Sequence, residues 1–227
     1  MIQAKKMICV VLMLGMFSGT SFSATQIEWW HAMGGALGEA VNTIVGGFNR
    51  SQTEYVMKAV YKGNYTETMT AAIAAFRAKK QPHVVQVFEV GTATMMAAKG
   101  AIYPVHQLMS DAGQPFDESR YISAVIGYYT TTDGKLLSLP FNSSTPVVFW
   151  NKAAFAKAGL DRAPKTWEEM GKFSKKLISS GASECGFTIG WQSWSMLENF
   201  STWHDVPFAT KENGFAGLDT EFVFDSS

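Results

Sequence analysis

Polar groups that could hold an anion stand at Lys62-Gly63-Asn64-Tyr65, where an apolar run gives way to a helical pattern. The unpaired N–H groups and the positive dipole end of a helix N-terminus favour an anion. The phenol of Tyr65 could add a further donor to such a ligand. The same tyrosine also fits a half-buried core position, and the sequence leaves both interpretations open.

Two further polar stretches follow apolar segments in the same way. Glu89 comes just after the apolar run His83–Phe88, so its carboxylate could accept hydrogen bonds from ligand hydroxyls or remain a solvated loop charge. Hydroxyl groups gather around Ser144, where Pro146 holds the residue before it extended, although a simple turn is the other interpretation. Ligands in open α/β sheets sit outside the carboxyl ends of the strands, which makes these positions candidate ligand contacts.

Two tryptophans, Trp191 and Trp194, stand close to Gly190 at the end of another short apolar stretch. A flat indole face can pack against the C–H face of a polyol or a sugar. We therefore interpret this pair as suited to a carbohydrate-like ligand, with a place in the core as the alternative for one of the two.

Sequence motifs for catalysis, cofactors or metals are not found. The histidines lack the H-x-x-x-H spacing and the cysteine neighbours of a metal site: they are His31, His83, His106 and His204. There is no G-x-S-x-G elbow and no Walker loop, and the carboxylates are scattered. The glycines of 34–38 do not have the spacing of a dinucleotide fingerprint, and we interpret them as a helix-start turn. We predict no catalytic residue, no metal, no cofactor and no enzymatic activity.

Alternating strand and helix patterns position these groups in the first half of the chain. Strands are predicted at Gln26–His31, Tyr55–Tyr61 and His83–Phe88. A helix between the first two carries its apolar side chains on one face, namely Leu37, Val41, Ile44, Val45 and Phe48. This order predicts an α/β fold with a parallel sheet and covering helices.

Two more helices are predicted from capping boxes. Asn64 and Glu67 start the first, whose buried stripe is Met69, Ile73 and Phe76. Thr166 and Glu169 start the second, whose inward side chains are Met170, Phe173 and Leu177.

A short strand at Cys185–Ile189 and a helix at Ser193–Trp203 are predicted further along. Cys185 is the one cysteine after residue 23, so it has no disulfide partner within 24–227. We interpret it as a buried apolar group, with the loss of a partner elsewhere as the alternative.

The amino end of the chain predicts export. Lys5 and Lys6 precede the apolar run Met7–Phe17, and Ser21-Phe22-Ser23 supplies the small residues of a cleavage site, so residues 1–23 form a signal peptide. The apolar run is shorter than the roughly 20 residues that span a bilayer. Removal of this segment takes away two lysines and no acid, which leaves a formal charge of −2 and no indication of a nucleic-acid partner.

Several segments together resemble the solute-binding proteins of ABC importers, and among them the branch that binds sn-glycerol 3-phosphate. They are the residues of 61–65, 72–77, 86–96, 140–146 and 190–192. The resemblance implies a periplasmic-binding-protein-like α/β fold of the maltose-binding-protein type, with two lobes joined by crossover strands. On this basis residues 24–140 form the first lobe, and residues 141–227 form the crossover and a partial, incomplete second lobe.

Particular contacts are implied by the same resemblance. Tyr65 and Ser144 would bind the phosphate, Glu89 would accept from the glycerol hydroxyls, and Trp191 would pack on the glycerol backbone. The protein would be a periplasmic monomer that delivers sn-glycerol 3-phosphate to an inner-membrane permease complex. Family members are longer and supply further phosphate contacts, including an arginine, so we expect a truncated chain that binds weakly or not at all.

Three other functions remain open on the sequence. A binding protein for another polyol ligand, such as a glycerophosphodiester or an oligosaccharide, would keep Glu89 and Trp191 but change the phosphate contacts. An exported glycosidase-type enzyme would need two carboxylates about 5 to 10 Å apart across one cleft. A structural or adhesive domain would lack any cleft lined by Tyr65, Glu89 and Ser144.

Overall fold

The computed structural model describes residues 23–88, 91–92, 94–95, 98, 100–131, 133–217 and 219–224. Most of the predicted signal peptide and the predicted ligand contact Glu89 lie outside these residues. The chain divides into two compact units, of which the first ends at Ile102 and the second begins at Tyr103. The lobe boundary near residue 140 stays a prediction. Among the described residues, we find no helix with the length and apolar character needed to cross a bilayer.

Parallel strands form the centre of the first unit. Strands β1 (Thr25–His31), β2 (Tyr55–Tyr61) and β3 (Val84–Val85) lie in the order β2-β1-β3. The β1–β2 register runs from Thr25 opposite Tyr55 to His31 opposite Tyr61. The carboxyl-terminal half of the middle strand is buried. The predicted parallel sheet is confirmed.

Strand β3 is shorter than predicted, because side chains accept from two N–H groups of the neighbouring segment 28–32, one at each end of β3. The N–H of Glu28 donates to Nδ1 of His83 at 3.0 Å, and the N–H of Ala32 donates to Oε1 of Gln86 at 2.9 Å. These two bonds take the β1 donors that a longer strand would have used. The regular ladder therefore covers Val84 and Val85 alone.

Helix α1 (Gly35–Ser51) packs on this sheet through Val41 and Val45, which join Trp29 and Met33 in one buried cluster. The predicted inward face is correct for these two valines and wrong for Leu37 and Ile44, which are exposed. Each residue turns the helix by about 100°. Leu37 and Ile44 therefore lie at one edge of the stripe, beyond the part that the cluster covers.

Helix α2 (Tyr65–Arg77) begins with the predicted capping box. The N–H of Glu67 donates to the Asn64 side chain at 2.9 Å, and the N–H of Asn64 donates to the Glu67 carboxylate at 2.7 Å. Its buried residues are Thr68 and Ala72, one position away from the predicted stripe, and Phe76 is exposed. Met69 and Ile73 are half-buried, so the predicted stripe is correct in part and displaced by one position.

The second unit contains short helices. They include α3 (Val105–Asp111), α4 (Ser123–Ile126), α5 (Lys152–Lys157), α6 (Trp167–Ser179) and α7 (Asn199–Trp203). A π-helical turn at Ser193–Glu198 runs directly into α7, so the predicted helix over 193–203 is confirmed with an altered first half. Residues 137–150 carry neither helix nor strand. Phe155, Ala158 and Leu177 form the buried cluster that joins α5 to α6.

The start of α6 is confirmed only in part as a capping box. Thr166 Oγ1 accepts from the N–H of Glu169 at 3.1 Å. The Glu169 carboxylate turns instead to the N–H of Lys165 at 2.8 Å and to both terminal nitrogens of Arg162, each at 2.7 Å. The Arg162 hydrogen bonds, followed by the Lys165 N–H, lower the pKa of Glu169 to about 2.

Cys185 is exposed, so its interpretation as a buried apolar group is wrong. The predicted strand at Cys185–Ile189 is also wrong, because no strand forms there. Ser183 Oγ donates to the carbonyl of Cys185 at 2.8 Å, and the Cys185 thiol lies 3.0 Å from the carbonyl of Phe187. Such local side-chain bonds occupy backbone groups that a strand ladder would need.

Candidate ligand-binding site

Tyr65 is the first residue of α2, directly after the capping residue Asn64. Its ring stacks on Phe88, with 5.3 Å between ring centroids and 8° between the planes. It also packs against the buried cluster of α1 and the sheet. Tyr65 therefore lies at a helix start and is also half-buried, so both positions that the sequence left open apply to it.

The electrostatics of this helix start are mixed. The capping box uses the N–H groups of Asn64 and Glu67 and brings the Glu67 carboxylate to the positive end of α2. The Lys62 ammonium lies 3.8 Å from the centre of the Trp30 ring, a cation–π contact. An anion at this position would use the N–H groups of Tyr65 and Thr66, which the box does not employ, and would have Lys62 nearby in sequence.

Gly63 shapes the turn between β2 and α2. Its φ of +94° lies in the region that L side chains rarely adopt. A Cβ atom at this position would overlap the Glu67 carboxylate and stand only 2.9 Å from its Cδ. The capping box and the position of Tyr65 therefore require a glycine here.

The remaining predicted contacts belong to different parts of the chain. Ser144 is exposed within 137–150 in the second unit. Trp191, also in the second unit, is 55% exposed and has a φ of +55°, and its ring lies 6.0 Å from that of Trp194. The structure thus brings the two tryptophans together as the sequence suggested. Tyr65 lies in the first unit, and Glu89 lies outside the described residues.

Sequence reasoning missed a cleft of about 320 Å³ at the carboxyl ends of β1 and β2. Its lining contains the last residue of each strand and one face of the start of α1, namely His31, Met33, Gly34, Gly35, Gly38, Glu39, Asn42, Ala59 and Tyr61. The glycines were interpreted only as a helix-start turn. The signal that could have found the cleft is a histidine that ends a strand just before a glycine-rich helix start.

His31 forms the buried wall of this cleft, with 3% of its surface exposed. Its Nδ1 accepts from the N–H of Met33 at 3.3 Å, and its ring lies 6.0 Å from that of Tyr61. Burial lowers the pKa of His31, which favours the neutral imidazole. Among the described residues, no cluster of three or more His, Cys, Asp or Glu side chains is placed to hold a metal ion.

The parallel sheet, its covering helices and the cleft at the carboxyl ends of β1 and β2 are features of a small-molecule-binding α/β protein. The sequence profile of the bacterial extracellular solute-binding protein family matches residues 28–227. The chain belongs to this family, as its motifs predicted.

Two curated relatives carry the same name, sn-glycerol-3-phosphate-binding periplasmic protein UgpB. The protein of Brucella abortus (strain 2308) is 49% identical over 208 residues, which are 91% of this chain and 48% of the relative. The protein of Yersinia pestis bv. Antiqua (strain Antiqua) is 51% identical over 223 residues, which are 97% of this chain and 50% of the relative. The chain therefore spans about half the length of these relatives.

Solved structures with a similar fold include binding proteins for oligosaccharides. Maltose-bound MalE3 of T. maritima gives a TM-score of 0.54 at 17% identity, covering 70% of this chain and 39% of that one. The protein CpMnBP1 with mannotriose bound gives a TM-score of 0.52 at 24% identity, covering 67% of this chain and 38% of that one. They confirm the predicted fold class, a partial periplasmic-binding-protein fold.

Proposed function

We propose that this chain is the solute-binding component of an ABC importer, and that it captures sn-glycerol 3-phosphate in the periplasm for an inner-membrane permease. One observation carries the proposal. Two relatives named for this ligand are 49% and 51% identical to the chain over nearly its whole length. Family membership over residues 28–227 supports the same role.

In this proposal Tyr65 and Ser144 bind the phosphate, Glu89 accepts from the glycerol hydroxyls, and Trp191 packs on the glycerol carbons. The place of Tyr65 at the start of α2 supports its part, because helix N-termini attract phosphate groups. The exposure of Ser144 and Trp191 supports theirs, because each side chain is accessible to a solute.

The proposed protein is a monomer and not an enzyme. Solute-binding proteins in general bind and release their ligand without changing it. The proposed role accordingly requires recognition groups alone, and it needs no metal or cofactor.

Isothermal titration of the purified chain with sn-glycerol 3-phosphate tests the proposal. In line with the weak binding expected from the sequence, we expect small but saturable heat. Trp191→Ala should lower the affinity about tenfold or more, because it removes the surface under the glycerol carbons. Trp203→Ala is the matched control, since Trp203 is 76% exposed in the same unit and has no proposed ligand role. The control variant should bind as the unchanged chain does.

Titration with competing solutes tests which ligand the chain prefers. Glycerophosphocholine and maltose stand for the phosphodiester and oligosaccharide alternatives. Tighter binding of either one than of sn-glycerol 3-phosphate overturns the ligand assignment. The absence of heat with all three overturns capture by this chain.

A further inference from the structure

We propose that Phe88 is a positioning residue: it sets the orientation of the Tyr65 ring and, through it, the affinity for the phosphate of the ligand. The inference rests on the proposed function, in which Tyr65 binds that phosphate. Phe88 has no proposed contact with the ligand. It acts through its ring, which stacks on that of Tyr65 with 5.3 Å between centroids and 8° between the planes.

The capping box fixes the backbone of Tyr65 and leaves the direction of its ring to other contacts. Tyr65 lies between the two residues of the box, Asn64 and Glu67, whose bonds hold the first turn of α2. The direction of a side chain depends in addition on its rotamer, which packing selects. Phe88 supplies a flat neighbour, and aromatic pairs favour a few defined arrangements of their planes. The stack therefore sets where the Tyr65 hydroxyl points.

Hydrogen bonds hold the backbone that carries the Phe88 ring. The Phe88 carbonyl accepts from the N–H of Gly91 at 2.9 Å and from Thr92 Oγ1 at 3.2 Å. Two donors on one carbonyl oxygen restrict the rotation of that peptide group, because both bonds would lengthen if it turned. The ring of Phe88 is thus presented from a fixed backbone.

Gly91 brings the same backbone against α2 at a second point. A Cβ built on the buried Gly91 would stand 2.5 Å from the Met69 sulfur and 3.3 Å from the Phe88 ring, so the approach is close. Met69 follows Tyr65 by four residues and therefore lies on the same face of α2. The chain after β3 consequently meets α2 at two points one helical turn apart, Phe88 at Tyr65 and Gly91 at Met69. Two contacts prevent the pivoting that a single contact would allow.

Gln86 ties this segment to the central strand of the sheet. Its N–H donates to the carbonyl of Trp30 at 2.9 Å, and its Oε1 accepts from the N–H of Ala32 at 2.9 Å. The residue is buried, with 6% of its surface exposed, so water competes little for these bonds. Two residues before Phe88 the chain is therefore bound to β1 and its continuation. The Tyr65 ring is thus held relative to the sheet as well as to its own helix.

Nuclear magnetic resonance of the full chain with ¹³C-labelled tyrosine rings tests the orientation without a ligand. The Tyr65 signals are those that Tyr65→Phe removes. Phe88→Leu should speed rotation of the Tyr65 ring about two- to tenfold, the range that follows from the loss of one aromatic pair. Phe88→Tyr keeps the ring and should leave the rate unchanged, as should the control Phe76→Leu at an exposed position of α2. Thr92→Val, a milder variant that loses only the bond to the Phe88 carbonyl, should give a smaller increase. An unchanged rate in Phe88→Leu overturns the proposal.

Calorimetric titration with sn-glycerol 3-phosphate tests the effect on binding through a double-mutant cycle. Phe88→Leu should lower the affinity about two- to tenfold in the unchanged chain and should add no loss in the Tyr65→Phe background, because it acts through the phenol. Phe88→Tyr should bind as the unchanged chain does. The same loss in both backgrounds overturns the positioning role, since it shows that Phe88 acts independently of the hydroxyl. A Tyr65→Phe chain with full affinity refutes instead the proposed phosphate contact, and the rotation rate then still decides whether Phe88 orients Tyr65.

Discussion

Substitution of Gly63 by alanine adds a single methyl group, yet it should destabilise the first unit markedly. The backbone at Gly63 has a φ of +94°, where an L residue costs about 1 to 2 kcal/mol. The added Cβ also displaces the Glu67 carboxylate and breaks the capping box, and the loss of such a cap costs about 1 kcal/mol. We therefore expect Gly63→Ala to lower the free energy of unfolding by about 2 to 3 kcal/mol.

Gly47→Ala is the matched control, and its effect on the free energy of unfolding should have the opposite sign. Gly47 lies inside α1, and a Cβ built on it meets nothing within 4 Å. Alanine in a helix interior is more favourable than glycine by about 0.5 to 1 kcal/mol. The same chemical change should thus stabilise the protein at one position and destabilise it at the other.

Urea unfolding of the full chain, followed by far-ultraviolet circular dichroism, measures both effects. A double variant Gly63→Ala with Glu67→Ala separates the two causes, because it removes the overlap but keeps the strained φ. It should be more stable than expected from the sum of its single substitutions. A Gly63→Ala protein as stable as the unchanged chain would refute the assigned turn and capping geometry.

Further substitutions in the second unit test its charges and its core. Glu169 has a pKa near 2 against an ordinary 4.5, so its contribution to stability is full above about pH 4.5 and disappears as the pH falls towards 2. Acid titration of Glu169→Gln should lack this component, and Glu168→Gln, which changes the neighbouring acid, should retain it. Leu177→Ala should cost about 2 to 5 kcal/mol in urea unfolding, because the side chain is 4% exposed in the cluster of α5 and α6. Ile178→Ala, at 53% exposed, should change stability by less than about 1 kcal/mol, and equal losses at the two positions would contradict the assigned core.

Local signals in the sequence were enough for strands β1 and β2 and for the start of α2. The Asn64 and Glu67 pair predicted its own capping box, because both partners lie within one helical turn. The β1 and β2 patterns were equally local. At Thr166 the same reasoning predicted only one of the two bonds of the capping box, the one from the N–H of Glu169 to Thr166. The second does not form because Arg162 binds the Glu169 carboxylate, and the short motif does not include Arg162.

The burial of helix faces depended on neighbours that the local pattern does not contain. Thr68 and Ala72 are the buried residues of α2, whereas Phe76, which the local pattern placed inside, is exposed. The cleft beside His31 was missed for a similar reason. It requires the ends of two strands that are distant in sequence and adjacent in the sheet.

Strand β1 has a consequence for how the chain folds, because every pairing in the described sheet includes it. Its partners come later in the chain, β2 at Tyr55 and β3 at Val84, and parallel pairing cannot form through a tight hairpin. A chain that emerges from its amino end therefore presents both edges of β1, with Trp29 and Trp30, before either partner is available. Such non-local pairing slows folding and lengthens the time during which a strand can bind a chaperone or aggregate.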